Sequence, residues 1–509
     1  PFIDAILCHQ VGHGSQCRLL ELASHEQLLV VNFQSWISRE GGCSAMCWTS
    51  PNTYKEMMRP ALHPTADRLT STSFGIVKVS RTVFKMRPSI AIFLTAVGMA
   101  CTATADVANP TIEEIEAAAA TTLPLSPVSN VKGLAFDRFF QIWLENSVSD
   151  VVTFGFVAFM VDLDEKDYNA AAGDANQKYL ASQGITLTNY WAVTHPSEPN
   201  YCASASGDTF GMDNDDFHQI PENVSTIADL FDTRKISWGE YQEHMPYPGY
   251  QGFNYSNQQT YANDYVRKHN PLILFNSVTN DKNRLRQIKN FTEFFNDLHN
   301  KRLPQYAFVT PNMTNDGHDT NITFAAEWER NWLSGLLNNE YFMKDTLVLL
   351  TFDETETYPK PNKVFSILLG GAVPEHLKGT EDNTFYTHYS TIATLSANWK
   401  LPSLGRWDCG ANIFQLVAEK TGYVNYDVDT TNLFLNETTP GPLSTNTYSE
   451  YSPDWPIPAT SEKCSAGYGI LEKVKETYGH LEPTYNYTSP FPYDTKTGYN
   501  ATLLPLGKM

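Results

Sequence analysis

Between residues 131 and 435, short apolar runs alternate with longer segments that repeat apolar residues at helical spacing. Five apolar runs predict buried β-strands: FDRFFQIWL, ITLTNYWAV, QYAFVT, TLVLLTF and VFSILLGG. Three amphipathic segments predict helices: NRLRQIKNFTEFFNDLHN, FAAEWERNWLSGLLNN and YSTIATLSANW. Strands that alternate with helices are typical of an α/β domain with a largely parallel central sheet flanked by helices.

The flanks of this domain have a different composition. Residues 106–130 are rich in Ala, Thr and Pro and predict a surface leader with one short helix. Residues 436–509 are rich in Thr, Pro, Tyr and Ser and contain few long apolar runs. We therefore expect a mostly irregular extension that packs on the domain.

Residues 86–105, MRPSIAIFLTAVGMACTATA, combine a basic start, an apolar run and an Ala-x-Ala site. This pattern predicts a secretory signal peptide, and hence an extracellular or cell-wall protein. The apolar run is too short for a stable membrane span, which needs about 20 residues. Because signal peptides begin chains, we interpret residues 1–85 as non-native upstream translation. The alternative is a genuine N-terminal domain followed by an internal apolar helix.

Charge and cysteine usage narrow the class of protein further. The net charge of −20 argues against a nucleic-acid partner, because phosphates would be repelled. After residue 105 only Cys202, Cys409 and Cys464 occur, which allows one disulfide at most and leaves its pairing open. Eight N-x-S/T sequons predict N-glycosylation of a secreted protein, at Asn223, Asn254, Asn290, Asn312, Asn321, Asn436, Asn486 and Asn500.

Reactive side chains follow four of the predicted strands. They are Glu145-Asn146 after IWL, Ser197 after YWAVTHP, Asp316–Asp319 (DGHD) after FVTPNMTN, and Asp353-Glu354 after LVLLTF. Ligands of open α/β sheets bind at the carboxyl ends of the strands, so these groups should meet at one edge. Any single group could instead cap a turn or a helix.

The run AVTHPSEPNYCAS places Ser197 between two prolines. Proline restricts its own backbone and that of the preceding residue, which predicts extended conformations for His195 and Glu198. If a helix begins at Ser197, its free N–H groups would face an incoming anion. The neighbouring carboxylate and amide oxygens suit a divalent cation of unknown identity, which would activate the serine as a nucleophile. A Pro-rich turn is the simpler alternative.

The runs IWLEN, THPSEPNY, YVRKHNP, PNMTNDGHD, LLTFDE and THYS resemble the signatures of the phosphoesterase family. This family includes fungal secreted, phosphate-repressible acid phosphatases and, more distantly, bacterial phospholipases C. The resemblance covers about residues 131–425. It implies an alkaline-phosphatase-like fold and hydrolysis of small-molecule phosphate monoesters through a phosphoserine intermediate.

Carried over by position, the resemblance makes Ser197 the nucleophile. It assigns the metal to Glu145, Asn146, Ser197, Asp353 and Glu354. It implies that His269 and His318 contact the phosphate or protonate the leaving oxygen. Weaker substrate-binding candidates are Asn200, Lys268, Asp319 and His388, although His388 could equally be a core histidine. His195 would orient its neighbours rather than act as a base.

One segment departs from the family pattern. Residues 147–166, SVSDVVTFGFVAFMVDLDEK, separate Asn146 from Asp167, where the family runs almost directly from Glu-Asn to Asp-Tyr. We interpret the segment as a retained intron within a catalytic domain of residues 131–435; the alternative is an inserted strand or hairpin. Two other functions stay open: a phospholipase C or other phosphodiesterase, and a catalytically inactive secreted glycoprotein. The oligomeric state is not predicted.

Overall fold

The computed structural model describes residues 3–11, 14–22, 109–145, 166–439, 441–445, 455–461, 464 and 468–481. The chain divides into two compact units, Pro1–Met99 and Ala100–Met509. In the first unit, strands Ile3–Val11 and Gly14–Leu22 pair as an antiparallel hairpin that the sequence analysis did not predict. The predicted signal peptide, Asn146 and residues 147–165 lie outside the described residues, so those interpretations stay predictions.

An eight-stranded sheet forms the centre of the second unit. In chain order its strands are β1 (Arg138–Leu144), β2 (Ile185–Leu187), β3 (Trp238–Gln242), β4 (Ile288–Asn290), β5 (Tyr306–Thr310), β6 (Thr346–Phe352), β7 (Ser366–Leu369) and β8 (Thr380–Asp382). Their spatial order is β8-β2-β7-β6-β1-β5-β3-β4. Only β7 runs antiparallel to its neighbours, which confirms the largely parallel sheet.

Helices cover the sheet, and the central strands β1, β5 and β6 are therefore almost entirely buried. The helices are α1 (Ile112–Ala119), α2 (Lys166–Gly173), α3 (Ala175–Ala181), α4 (Ser197–Ser206), α5 (Ile227–Asp232), α6 (Asn276–Thr279), α7 (Lys282–Leu285), α8 (Phe291–His299), α9 (Ile322–Leu337), α10 (Glu340–Met343), α11 (His388–Trp399), α12 (Gln415–Thr421) and α13 (Glu472–Tyr478). Two further strand pairs join Tyr190–Trp191 to Tyr386–Thr387 and Asn254–Tyr255 to Tyr265–Val266.

Three local predictions need correction. The single helix predicted over 283–300 is interrupted by edge strand β4, because the Asn290 side chain accepts the Glu293 N–H at 3.2 Å and starts α8 there. Strand β3 was missed, since its sequence WGEYQ is not a continuous apolar run. Helix α4 begins at Ser197, which is the start that the sequence analysis considered beside a Pro-rich turn, but Glu198 lies inside the helix rather than extended. Pro199 fits the first turn because N–H groups there have no intrahelical partner.

The leader and the extension are both anchored to the domain. The short leader helix is α1, and Ser126 beyond it donates to Asp297 Oδ2 at 2.8 Å and accepts from buried Lys289 at 2.9 Å. In the extension, a disulfide joins Cys464 to Cys409, and buried Cys202 is a free thiol. Within the described part of the chain, no helix has the length and apolar character needed to cross a membrane.

We expect the Cys409–Cys464 disulfide to stabilise the domain by tethering the extension across 55 residues. Replacement of Cys464 by Ser should lower the free energy of unfolding by about 2–4 kcal/mol, because the unfolded chain gains conformational freedom. Denaturant unfolding with and without a reductant measures this change. Cys202→Ala should keep the wild-type sensitivity to reductant, and an equally large reductant effect on Cys464→Ser would contradict the expectation.

Candidate active site

Ser197 is the first residue of α4, and its hydroxyl lies between two carboxylates. Its Oγ donates to Glu145 Oε2 at 3.1 Å and lies 3.4 Å from Glu354 Oε1. Glu145 directly follows β1 and Glu354 follows β6, and these neighbouring strands run parallel. Their ends therefore meet at one edge of the sheet, where the sequence analysis placed them together.

The carboxylates around Ser197 are buried and close to one another. Burial and the charges of Glu145 and Glu354 raise the pKa of Asp353, and burial with the charge of Glu145 also raises the pKa of Glu354. Both carboxylate oxygens of Asp353 lack a hydrogen-bond partner among the described residues. Burial and mutual repulsion thus oppose the ionisation of Asp353 and Glu354.

His269 lies between two of the acidic groups. Its Nε2 is 3.0 Å from Glu145 Oε1, and its Nδ1 is 3.5 Å from Asp316 Oδ2. Burial opposes the charge of the ring, but the Glu145 and Asp316 carboxylates together outweigh this effect and raise the pKa of His269. Burial raises the pKa of Asp316 to about 6. Tyr201 adds a hydroxyl that donates to Glu145 Oε1 at 2.5 Å.

His318, Lys268 and Asp319 form a polar row at the more exposed side of the site. Lys268 Nζ lies 3.3 Å from His318 Nε2, and His318 Nδ1 lies 2.9 Å from Asp319 Oδ1. Lys268 also donates to Asp215 Oδ2 at 3.1 Å. Burial would lower the pKa of Lys268, but the carboxylates of Glu145 and Asp215 raise it, and the side chain carries a positive charge.

His195 contacts Glu354, Asn436 and Tyr358. Its Nδ1 pairs with Glu354 Oε2, its Nε2 lies 3.3 Å from Asn436 Oδ1, and its ring stacks on Tyr358 at 4.1 Å. Burial lowers the pKa of His195 to about 4. The contact with Asn436 brings the start of the extension into the site, which the sequence analysis did not foresee.

The side chains of two weaker substrate-binding candidates form hydrogen bonds with the backbone. Asn200 accepts the N–H groups of Val193 and Thr194 and donates to the carbonyls of Thr194 and Pro196, at 2.9–3.3 Å. His388 donates through Nε2 to the Asp353 carbonyl at 2.6 Å, and burial lowers its pKa to about 3. We therefore assign these side chains to holding the loops of Ser197 and Asp353 rather than to the phosphate.

The acidic cluster fits a divalent cation. Ligand atoms of Glu145, His269 and Asp316 lie within 4.8 Å of one another. Asp353 adds buried oxygens without hydrogen-bond partners, and hard carboxylate oxygens are suited to such an ion. The sequence analysis left Asp316 out of the ligand set, although it lies in the DGHD run that follows β5.

The sequons differ in accessibility. Asn223 is exposed, whereas Asn312 is buried and its amide nitrogen donates to Asp264 at 2.7 Å. The amide nitrogen of Asn436 donates to the Lys360 carbonyl at 2.6 Å. Asn254, Asn290 and Asn321 are half-buried, and Asn486 and Asn500 lie outside the described residues. Asn223 is thus the described sequon most accessible to a glycosylating enzyme.

Comparison with known proteins finds one matching family model and several similar proteins that are named phosphatases. The model of the Phosphoesterase family matches residues 166–402. An acid phosphatase of Aspergillus fumigatus is 66% identical over 82% of this chain and 89% of its own length. A phosphate-repressible acid phosphatase of Penicillium chrysogenum is 63% identical over 80% of this chain and 93% of its own length. A phosphatidylinositol-3-phosphatase of Mycobacterium tuberculosis is 27% identical over 51% of this chain and 81% of its own length.

Among solved structures, an alkaline phosphatase superfamily protein from Vibrio parahaemolyticus matches with a TM-score of 0.33 and 11% identity. That match covers 53% of this chain and 67% of the other. The high identity and near-complete coverage of the fungal relatives establish the family. This chain belongs to the phosphoesterase family, in its group of fungal acid phosphatases.

Proposed function

We propose that this protein hydrolyses phosphate monoesters of small molecules, with Ser197 as the nucleophile and a phosphoserine intermediate. The observation that carries the proposal is the position of Ser197 Oγ, which contacts Glu145 and Glu354 at the first residue of α4. In the first step Oγ bonds to phosphorus, the bond to the ester oxygen breaks, and the alcohol leaves. In the second step water attacks the phosphoserine and releases inorganic phosphate.

The carboxylates prepare the serine for attack. The hydroxyl proton leaves Oγ along its contacts with Glu145 and Glu354, and His195 orients the Glu354 carboxylate. A divalent cation held by Glu145, Ser197, Asp353 and Glu354, with Asn146 as a further candidate, would lower the pKa of the serine hydroxyl. His269 contacts both Glu145 and Asp316, either as a ligand beside them or as their supporting partner.

The positively charged side of the site receives the phosphate. N–H groups at the start of α4 and the Lys268 ammonium are donors suited to its oxygens. His318 is the candidate for protonating the leaving oxygen, since its side chain is 32% exposed and can meet a substrate group. His269 is almost fully buried, and we assign it to holding Glu145 and balancing charge.

The proposal also includes secretion, activity at acid pH and glycosylation of the enzyme. The signal-peptide pattern of residues 86–105 supports secretion, and the relatives named acid phosphatases support activity at acid pH. Asn223 is the best-placed described sequon for a glycan. The catalytic domain would comprise residues 131–435, with 147–166 as a retained intron.

Trapping the intermediate tests the proposal directly. Acid quenching during turnover of a monoester, followed by digestion and peptide mass spectrometry, should place a phosphoryl group on the peptide that contains Ser197. Quenching before substrate is added gives the control. An active enzyme whose phosphoryl group sits on another residue would refute Ser197 as the nucleophile.

A further inference from the structure

The carboxylate of Asp215 bridges two donors of the proposed phosphate site. Its Oδ1 accepts the backbone N–H of Glu198 at 2.9 Å, and its Oδ2 accepts from Lys268 Nζ at 3.1 Å. The first donor belongs to the start of α4, one residue after the nucleophile, and the second is the cation beside His318. Asp215 itself lies on the loop after α4, and its side chain is 26% exposed.

A carboxylate in this position resembles part of a bound phosphate. Two oxygens on one atom contact a helix N–H and an ammonium, which are the partners that two phosphate oxygens would take. Both donors are satisfied by this contact, so an incoming phosphate must either displace Asp215 or bind with fewer donors. A negative charge within hydrogen-bond distance of both donors also repels an incoming anion.

We propose that Asp215 is an internal competitor that occupies the phosphate donors of the resting enzyme and is displaced by the substrate. This inference rests on the proposed function, because it takes Glu198 N–H and Lys268 as phosphate donors. Occupation of the donors by Asp215 reduces the apparent affinity for phosphate, since only the fraction of molecules with free donors can bind. Asp215 would thereby keep the enzyme from being held by its own product, inorganic phosphate.

Two substitutions separate the contacts of Asp215. Asp215→Asn keeps an oxygen that can accept the Glu198 N–H but removes the charge that holds Lys268. Asp215→Ala releases both donors. Asp216→Asn is the matched control, because it removes the same charge from an exposed neighbour whose backbone N–H is held by Asn214.

The measurement is the dissociation constant of inorganic phosphate by isothermal titration calorimetry, on the full chain as purified and at one pH. We expect binding about fivefold tighter in both Asp215 variants and unchanged in Asp216→Asn. Thermal unfolding verifies that each variant is folded. Unchanged or weaker binding in both Asp215 variants would mean that Asp215 positions Lys268 rather than competes with substrate. Equally tighter phosphate binding in Asp216→Asn would mean that the change in net charge alone causes the effect. Either result overturns the proposal.

A kinetic readout distinguishes this inference from the proposed function. With 4-nitrophenyl phosphate as substrate, the Asp215 variants should show a lower KM, because competition affects binding. Activity that survives Ser197→Ala would refute the proposed nucleophile, whereas the phosphate titration would still report on Asp215. Loss of activity in Ser197→Ala, together with a higher KM in both Asp215 variants, would overturn the competitor role alone.

Discussion

Replacement of Ser197 by Ala is expected to reduce kcat for monoester hydrolysis by at least about 10³-fold, because the variant lacks the proposed attacking oxygen. The hydroxyl is almost fully buried and contacts Glu145 and Glu354, so its removal takes away the reacting oxygen and leaves the carboxylates in place. Steady-state kinetics over a range of substrate concentrations measure the loss. The same variant should give no phosphorylated peptide after acid quenching.

Ser204→Ala is the matched control for this substitution. Ser204 is a buried serine of the same helix, and its hydroxyl donates only to the Tyr201 carbonyl at 2.7 Å among the described contacts. Its loss should leave kcat within about threefold of wild type, since a single intrahelical contact contributes only about 1 kcal/mol. A Ser197→Ala variant with near wild-type kcat and an unchanged melting temperature would refute the serine mechanism.

Removal of the cation is expected to abolish activity and to lower the melting temperature by about 5–10 °C. The physical reason is the repulsion left among Glu145, Asp353 and Glu354, whose buried charges would have no neutralising ion. Differential scanning calorimetry with and without a chelator measures the shift. Adding back a divalent ion should restore both the activity and the melting temperature.

The pH dependence of this shift has a defined sign. The folded-state pKa of Asp316 is raised to about 6, and those of Asp353 and Glu354 are also raised. In the chelated protein, the stability linked to these groups is present below their unfolded pKa values and is lost as pH rises through the folded values. The destabilisation should therefore be larger at about pH 7.5 than at about pH 5.

Asp353→Asn supplies the control for the chelator experiment. It removes one charge from the cluster and keeps the shape of the side chain, so the chelator should lower its melting temperature by less than in wild type. Equal shifts in both proteins, or no effect of a chelator on wild-type activity and melting temperature, would refute the cation site.

Local patterns predicted the elements whose burial is continuous along the chain. Strands β1, β5 and β6 are almost entirely buried, and each appears in the sequence as an apolar run. Helices α9 and α11 followed from apolar residues at helical spacing. Edge strand β4 was missed because it forms by pairing with β3, a segment that is distant in the sequence. The local pattern of apolar residues does not reveal such a pairing.

The residues of the site also differ in whether the sequence alone could locate them. Glu145, Ser197, Asp353 and Glu354 could be located because each follows a strand or an extended run and carries an oxygen suited to a cation. Asp215 and Asn436 lie in loops without a periodic pattern, and their contacts with Lys268 and His195 span 53 and 241 residues. Asn200 and His388 were placed near the site, but only their hydrogen-bond partners revealed that they hold backbone.

By itself, the sequence determined that reactive groups collect at one sheet edge, because the ends of parallel strands coincide whatever loops connect them. Tertiary structure alone decided which partner each group has. The proximity of Asp316 to His269, the bridge made by Asp215 and the contact of Asn436 with His195 all depend on how loops fold back over that edge. Distances of a few ångströms between side chains govern both charge balance and proton transfer, and they arise only when the whole domain has packed.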